Sequence, residues 1–326
     1  MRIGIIRETK IPSDSRVCLP PNHCKKILES QPQISIQVQS SASRCYKDEE
    51  YEALGIEIKE DLSHCDILLG VKEVKMDKLI ADKTYFFFSH TIKKQAYNRS
   101  LLQEILKKKI QLVDYETLTD ESSKRVIAFG RWAGIVGAHN GIRTWGKRKA
   151  KFDLKAMHLC FDFKEASASY SKLNLEGLKL VLTGSGRVSN GSAEVFDLMG
   201  IKALSKEEFL SYSGTKAVYC QLSTEDMFAK GERNDFDIAF YKDPSGYHSI
   251  LSPYLEKANV LVNGIYWDNK APALFTKEEM KKENFSIEVI ADITCDIAPV
   301  SSIPSTLKAS TISDPFFGYN PLTEQE

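Results

Sequence analysis

The sequence carries no excess of either charge. Its 44 lysines and arginines balance 44 aspartates and glutamates, so no basic field is present to recruit a polyanion such as nucleic acid. No apolar run reaches the length needed to cross a bilayer, and MRIGIIRETK lacks the apolar core of a signal peptide; a cytoplasmic protein is expected. Cysteines are few and unpaired: Cys18, Cys24, Cys45, Cys65, Cys160, Cys220 and Cys295 make seven, with no Cys-x-x-Cys and no matching histidine spacing. An odd, scattered set points to reduced thiols, mostly packing residues, and to no metal site. What remains, 42% apolar and 27% charged residues over 326 positions, describes an ordinary globular chain with enough length for two cores.

The stretch GLKLVLTGSGRVSNGSAEVFDLMGIK (177–202) organises the rest. It reads as a buried strand from Leu178 to Leu182, a glycine turn, a helix from about Ser192 to Met199, a stop at Gly200 and a new strand, which is half of a dinucleotide-binding βαβ unit. A tight turn falls at Gly184, close backbone approach to a pyrophosphate at Gly186, and the helix amides face the anion. The Gly-x-Gly-x-x-Gly spacing fails at its third position, where Ser189 stands, and a plain strand-turn-helix is the competing reading. The acid that grips the adenosine ribose belongs near the end of this unit's second strand. There IKALSKEEF offers Ser205 and Lys206, while Glu207 and Glu208 read as a helix start. NAD is the expected cofactor, with NADP left open.

Before this unit, strand-like stretches alternate with helices: Arg2 to Arg7, a helix from about Asn22 to Glu29, ISIQVQ, a short helix near Asp48, DILLGVK, YFFFSH, a helix from about Lys93 to Lys109, and IQLVDYE. After it come AVYCQL, a polar loop around Lys230 to Asn234, DIAFYK, a helix near Ser249 to Lys257, NVLVNGIYW and FSIEVIADITCDI. This alternation specifies an α/β protein with two doubly wound, Rossmann-like domains. In RVIAFGRWAGIVGAHNGIRTWG, Gly130, Gly134, Gly137, Gly141 and Gly146 recur so that several share one helical face, where small residues admit a second backbone. A long helix joining the domains is expected there, with a substrate domain over 1–130 and a dinucleotide-binding domain over 131–302. The tail ASTISDPFFGYNPLTEQE either returns to the first domain or frays.

Lys72 and His90 each end an apolar strand. A lysine partly desolvated there has its pKa lowered toward the range of a useful base, and a histidine exchanges a proton near neutral pH. Both roles suit oxidation of an amine; two surface residues after buried strands are the alternative. Arg16 and Arg125 are candidates for bidentate carboxylate binding. Asp292 and Asp296 flank the end of the last strong strand, either facing a nicotinamide or substrate or capping a turn.

The opening IGIIRETKIPSDSRVCLPP resembles the N-terminal segment shared by alanine dehydrogenases, the nicotinamide nucleotide transhydrogenase alpha subunit and lysine-forming saccharopine dehydrogenases. GVKEV, FFFSHTIKKQ, VDYETLTDESSKRVIAFGRWAG and VNGIYWDNKAPALFT look most like the saccharopine enzymes. The resemblance implies a two-domain fold closing over a central cleft, with Lys72 as proton acceptor, His90 as proton donor, and Arg16, Gln95, Arg125 and Phe129 lining an amino-acid site. On the cofactor side it implies Gly186 and Arg187 at the pyrophosphate turn begun by Gly184, Tyr266 beside the nucleotide, and Ile290, Ala291 and Asp292 near the nicotinamide. The implied activity is nicotinamide-dependent oxidation of saccharopine to lysine and 2-oxoglutarate, or its reverse, with small amino acids and 2-oxo acids as partners and neither nucleic acid nor membrane. An alanine-dehydrogenase-like reductive amination competes with it. So does a catalytically inactive nucleotide-binding subunit, suggested by Ser189 and by a chain that stops where the family continues into a segment folding back on the first domain.

Overall fold

The computed structural model describes residues 1–11, 14–231, 235–294 and 296–326. Cys295, two residues of the IPSDS stretch and the end of the polar loop at Asn234 therefore lie outside the described residues. The chain divides into two compact units, Met1–Ala128 and Phe129–Glu326.

In the first unit, β1 (Arg2–Ile5), β2 (Ser35–Val38), β3 (Glu57–Ile58), β4 (Ile67–Leu69), β5 (Thr84–Phe87) and β6 (Gln111–Asp114) form a parallel sheet in the order β3-β2-β1-β4-β5-β6. Successive strand residues point to opposite faces, so a strand covered on both sides must be apolar throughout. One cluster joins Ile3, Ile5, Ile36, Val38 and Tyr51; another joins Leu68, Tyr85 and Phe87 to Leu101 and Ile105 of the helix Arg99–Lys107. That helix begins six residues later than the expected Lys93. Lys94 is left-handed (φ 53°) and two short 3-10 turns, Thr91–Lys93 and Ala96–Asn98, take up the polar stretch between. The strand order reverses between β1 and β4, which opens a crevice beyond their carboxyl ends.

In the second unit, β7 (Lys179–Thr183), β8 (Lys202–Ala203), β9 (Val218–Leu222), β12 (Val260–Asn263) and β13 (Val289–Asp292) form another parallel sheet, in the order β13-β12-β7-β9-β8. β10 (Phe228–Lys230) and β11 (Tyr247–Ser249) pair antiparallel beside it. The expected strand DIAFYK is instead a 3-10 turn, Ile238–Tyr241. Asp237 accepts a hydrogen bond from the Ala239 N–H and starts that turn, and Phe240 then stacks on Phe228 with ring centroids 4.9 Å apart.

The long helix spans Gly130–Arg148 and belongs to the second unit. It packs against the helix Arg187–Leu198 at a distance only glycine permits: a Cβ on Gly134 would overlap the Val188 carbonyl oxygen, and one on Gly191 the Arg131 carbonyl oxygen. Ser192 Oγ donates to the Gly134 carbonyl at 3.1 Å across the same seam. The Arg187–Leu198 helix starts directly after Gly186, five residues before the expected Ser192. Residues 303–326 cluster with the second unit, where Glu324 accepts from Lys277 and Lys281 at 2.8 and 2.7 Å. Among the described residues no helix is long and apolar enough to cross a membrane.

Candidate active site

The first unit gathers charge at the switch point of its sheet. Glu8 follows β1, Lys72 and Glu73 follow β4, and His90 follows β5. The Glu8 carboxylate accepts from the Val71 and Lys72 N–H groups at 2.7 and 2.8 Å, tying the β1 loop to the β4 loop. Burial pushes its pKa up, against those two backbone hydrogen bonds. The Lys72 ammonium is half-buried, and its pKa is lowered first by that burial, then by the positive charges of Arg16 and Lys10. A lysine in this setting gives up its proton more readily than one in water.

Glu73 Oε1 lies 2.5 Å from His90 Nδ1, and Glu73 Oε2 accepts from Lys10 Nζ at 3.2 Å. Burial opposes ionisation of Glu73, but the hydrogen bonds from His90, from backbone and from Lys10 prevail and its pKa is lowered. His90 is left-handed (φ 56°), a conformation uncommon for a residue with a side chain and one that must be held by its surroundings.

Around this centre, Arg16 donates from Nε and Nη2 to Asp14 at 2.9 and 2.5 Å, and Arg16 keeps the Asp14 carboxyl below its ordinary range. Two donors of the fork assigned from sequence to a substrate carboxylate are thus already engaged by the protein. Arg125 stacks on the Phe88 ring, 5.9 Å from its centroid, with Glu116 Oε1 3.8 Å away. Glu116 Oε2 is buried without a hydrogen-bond partner. Gln95 is exposed ahead of the Ala96–Asn98 turn. Phe129 falls in the second unit, immediately before the long helix.

The sequence reading singled out Lys72, His90, Arg16 and Arg125 and missed their acidic partners Glu8, Glu73 and Glu116. All three acids stand in the quoted stretches RETK, GVKEV and VDYETL, but which carboxylates turn inward is a tertiary matter.

In the second unit the turn after β7 sits at the other switch point, between β7 and β12. Gly184 has φ 92°, and a Cβ there would meet Ser189 Oγ at 2.7 Å and the Gly264 carbonyl at 3.0 Å. Ser189 is buried and donates to the Thr183 carbonyl at 2.9 Å, so its hydroxyl fills space that glycines 184 and 264 leave. A Cβ at Gly186 would meet nothing within 4 Å. The backbone before the first helical turn is therefore open to an approaching anion, and the turn fits a dinucleotide pyrophosphate. Arg187, exposed, opens the helix.

At the ends of β7, β12 and β13 runs a hydrogen-bonded row: Thr183 Oγ1 donates to Asn263 Oδ1 at 2.6 Å, and Asn263 Nδ2 donates to Asp292 Oδ1 at 3.0 Å. Thr294 and Thr306 hydroxyls complete the Asp292 carboxylate at 2.8 and 2.6 Å. Asp292 thus holds strand ends together. Ile290 and Ala291 pack into the cores on opposite faces of the sheet, while Tyr266 is 97% exposed.

Strand order corrects one expectation. The strand beside β7 is β9, not β8: β9 pairs with β7 along its length, and β8 pairs only with the outer edge of β9. IKALSKEEF, which carries β8, therefore lies one strand further from the glycine turn than β9, which ends at Leu222.

Parallel α/β sheets, each with its polar groups at a switch point, place the chain among Rossmann-like proteins. Residues 4–136 match the family model described as alanine dehydrogenase/PNT, N-terminal domain. Over its length the chain is similar to an Arabidopsis thaliana alpha-aminoadipic semialdehyde synthase, 34% identical over 98% of this chain and 34% of that one. It is also similar to a lysine-forming, NAD(+) saccharopine dehydrogenase of Emericella nidulans, 25% identical over 95% of this chain and 80% of that one. A solved L-alanine dehydrogenase shares the fold, with a TM-score of 0.53 at 16% identity, covering 91% of this chain and 74% of that one. The chain spans about a third of the length of the first curated relatives it matches.

Proposed function

We propose that the chain is a nicotinamide-dependent oxidoreductase acting on the carbon–nitrogen bond of an amino acid, of the saccharopine type, in which the first unit moves protons and the second binds the dinucleotide. The observation that carries this reading is the Lys72, Glu73 and His90 grouping at the β1/β4 switch point, with Arg16 and Arg125 beside it.

A bound nicotinamide supplies hydride transfer. The chain's residues do the rest: Lys72, its charge disfavoured by burial, takes the proton from the substrate's secondary amine. Water then adds to the carbon–nitrogen double bond left once the hydride of the adjacent carbon has passed to the nicotinamide, and His90, held by Glu73, donates a proton to the departing amine nitrogen. The products are lysine and 2-oxoglutarate, and the same groups serve the reverse direction. Arg125 offers a guanidinium for a substrate carboxylate. In the second unit, Gly184 makes the tight turn and Gly186 leaves room for the pyrophosphate.

The test is steady-state NADH and NADPH oxidation with lysine plus 2-oxoglutarate, run against pyruvate plus ammonia. Turnover with the first pair is expected. Turnover only with the second makes the chain an alanine-dehydrogenase-like enzyme, and dinucleotide binding without turnover on either makes it a binding subunit.

A further inference from the structure

A buried acid lies behind the candidate proton-transfer groups. Asp114, the last residue of β6, is 7% exposed, and it pairs in register with Phe87, the last residue of β5. Closing a parallel strand needs no acid, and burying one is costly unless its oxygens are bonded. Here both are. Asp114 Oδ2 accepts from Ser89 Oγ at 2.5 Å, and Asp114 Oδ1 accepts from the Glu116 N–H at 2.8 Å.

The fully buried Ser89 hydroxyl is used up by this arrangement. Its single proton goes to Asp114, so it stands as acceptor to the Thr91 N–H at 3.1 Å and to the Thr91 hydroxyl at 2.7 Å. Residue 89 thus closes on residue 91 in a side-chain turn of the kind serine favours, and His90 is the residue between, at φ 56°. Glu73 binds the imidazole; Ser89 fixes the backbone that carries it.

Resting on the proton-transfer part of the proposed function, we propose that Asp114 is a positioning residue for that reaction. Through Ser89 it holds His90 in the left-handed turn that aims the imidazole at Glu73, and through the Glu116 N–H it locks the exit of β6 to the exit of β5. Without the carboxylate the Ser89 hydroxyl turns freely, the clamp across His90 is lost, and its backbone relaxes toward the more populated region. The imidazole then leaves Glu73.

Steady-state turnover and histidine NMR on the full chain test this. Ser89→Ala cuts the His90 link alone and should lower kcat with lysine plus 2-oxoglutarate by about 10–100-fold, with dinucleotide affinity unchanged by calorimetry. Asp114→Ala should lower it at least as far, and Asp114→Asn, which keeps one acceptor, should fall between Asp114→Ala and wild type. In protein labelled at the histidine imidazoles, the His90 signal, assigned by its loss in His90→Asn, should move in Ser89→Ala and Asp114→Ala to the position that Glu73→Gln gives it. Ile36→Ala weakens the core beside β2 and should lower the melting temperature with kcat and the His90 signal in place. An unmoved signal in Ser89→Ala, or an equal loss of kcat in Ile36→Ala, overturns the inference and leaves the proposed reaction standing. Absence of turnover in the wild type overturns the reaction, and the His90 signal still decides whether Asp114 sets that side chain. If Asp114→Ala does not fold, Ser89→Ala decides it alone.

Discussion

Glu73 holds His90: its Oε1 stands 2.5 Å from the imidazole Nδ1, so the residue following Lys72 in the chain orients the His90 ring. The left-handed backbone at His90 needs such an anchor, because an unconstrained histidine would relax to the more populated region.

The Glu73 contact has a pH signature. Its carboxyl titrates below the ordinary 4.5 in the folded protein, so its contribution to stability is fully present above 4.5 and is lost as the pH falls through the folded-state value. Glu73→Gln should lower stability by about 1–2 kcal/mol at neutral pH, and urea titrations should show the gap to wild type closing in acid. A gap that persists unchanged to the lowest pH at which the fold survives would rule out the carboxylate charge as its origin.

Lys72→Met should reduce turnover by about 10²–10⁴-fold and leave dinucleotide affinity unaltered, since the glycine turn lies in the other unit. Burial, Arg16 and Lys10 together keep the Lys72 pKa below its ordinary 10.5. Removing one of the cations, in Lys10→Met, should raise that pKa. The rising limb of the kcat/KM profile should then move to higher pH, and a limb that stays in place would disconnect Lys72 from it.

Two glycines of the second unit should respond in opposite ways. Gly134→Ala drives a methyl into the Val188 carbonyl and should cost about 1–3 kcal/mol by thermal unfolding, because two helix backbones have to separate. Gly186→Ala meets open space. It should change stability by less than about 1 kcal/mol yet weaken dinucleotide binding, and equal affinity for wild type and variant would remove Gly186 from the site.

Arg44 is the most thoroughly buried cation of the first unit, 4% exposed. It donates to the Tyr46 and Gln39 carbonyls at 2.8 and 2.9 Å, pairs with Asp48, and lies 4.6 Å over the Tyr51 ring. Arg44→Ala leaves the Asp48 carboxylate with only the Ser40 hydroxyl and the Ser41 N–H as donors and should destabilise by about 3 kcal/mol in chemical denaturation. Substituting Asp48→Asn in the same background should recover part of that loss, since no charge is then left unpaired.

The sequence by itself determined the α/β class, the glycine turn after β7 and the positions of a lysine and a histidine at strand ends. These are local properties: side-chain periodicity, turn chemistry, and residue type at the close of an apolar run. It also marked the glycine stripe of Gly130–Arg148, since a repeat of small residues on one helical face is visible without coordinates. The tertiary structure alone decided that β9 and not β8 lies beside β7, which puts the IKALSKEEF segment one strand away from the glycine turn. It alone engaged Arg16 with Asp14, turned Glu8, Glu73 and Glu116 toward the basic residues, and gave the Asp292 carboxylate to Asn263, Thr294 and Thr306. Strand order depends on the path each crossover takes, and carboxylate pairing on contacts between residues far apart in the chain, such as Glu8 with the Lys72 N–H 64 positions on. Neither is written in local propensity, because the free energy that selects among the alternatives comes from packing the whole sheet.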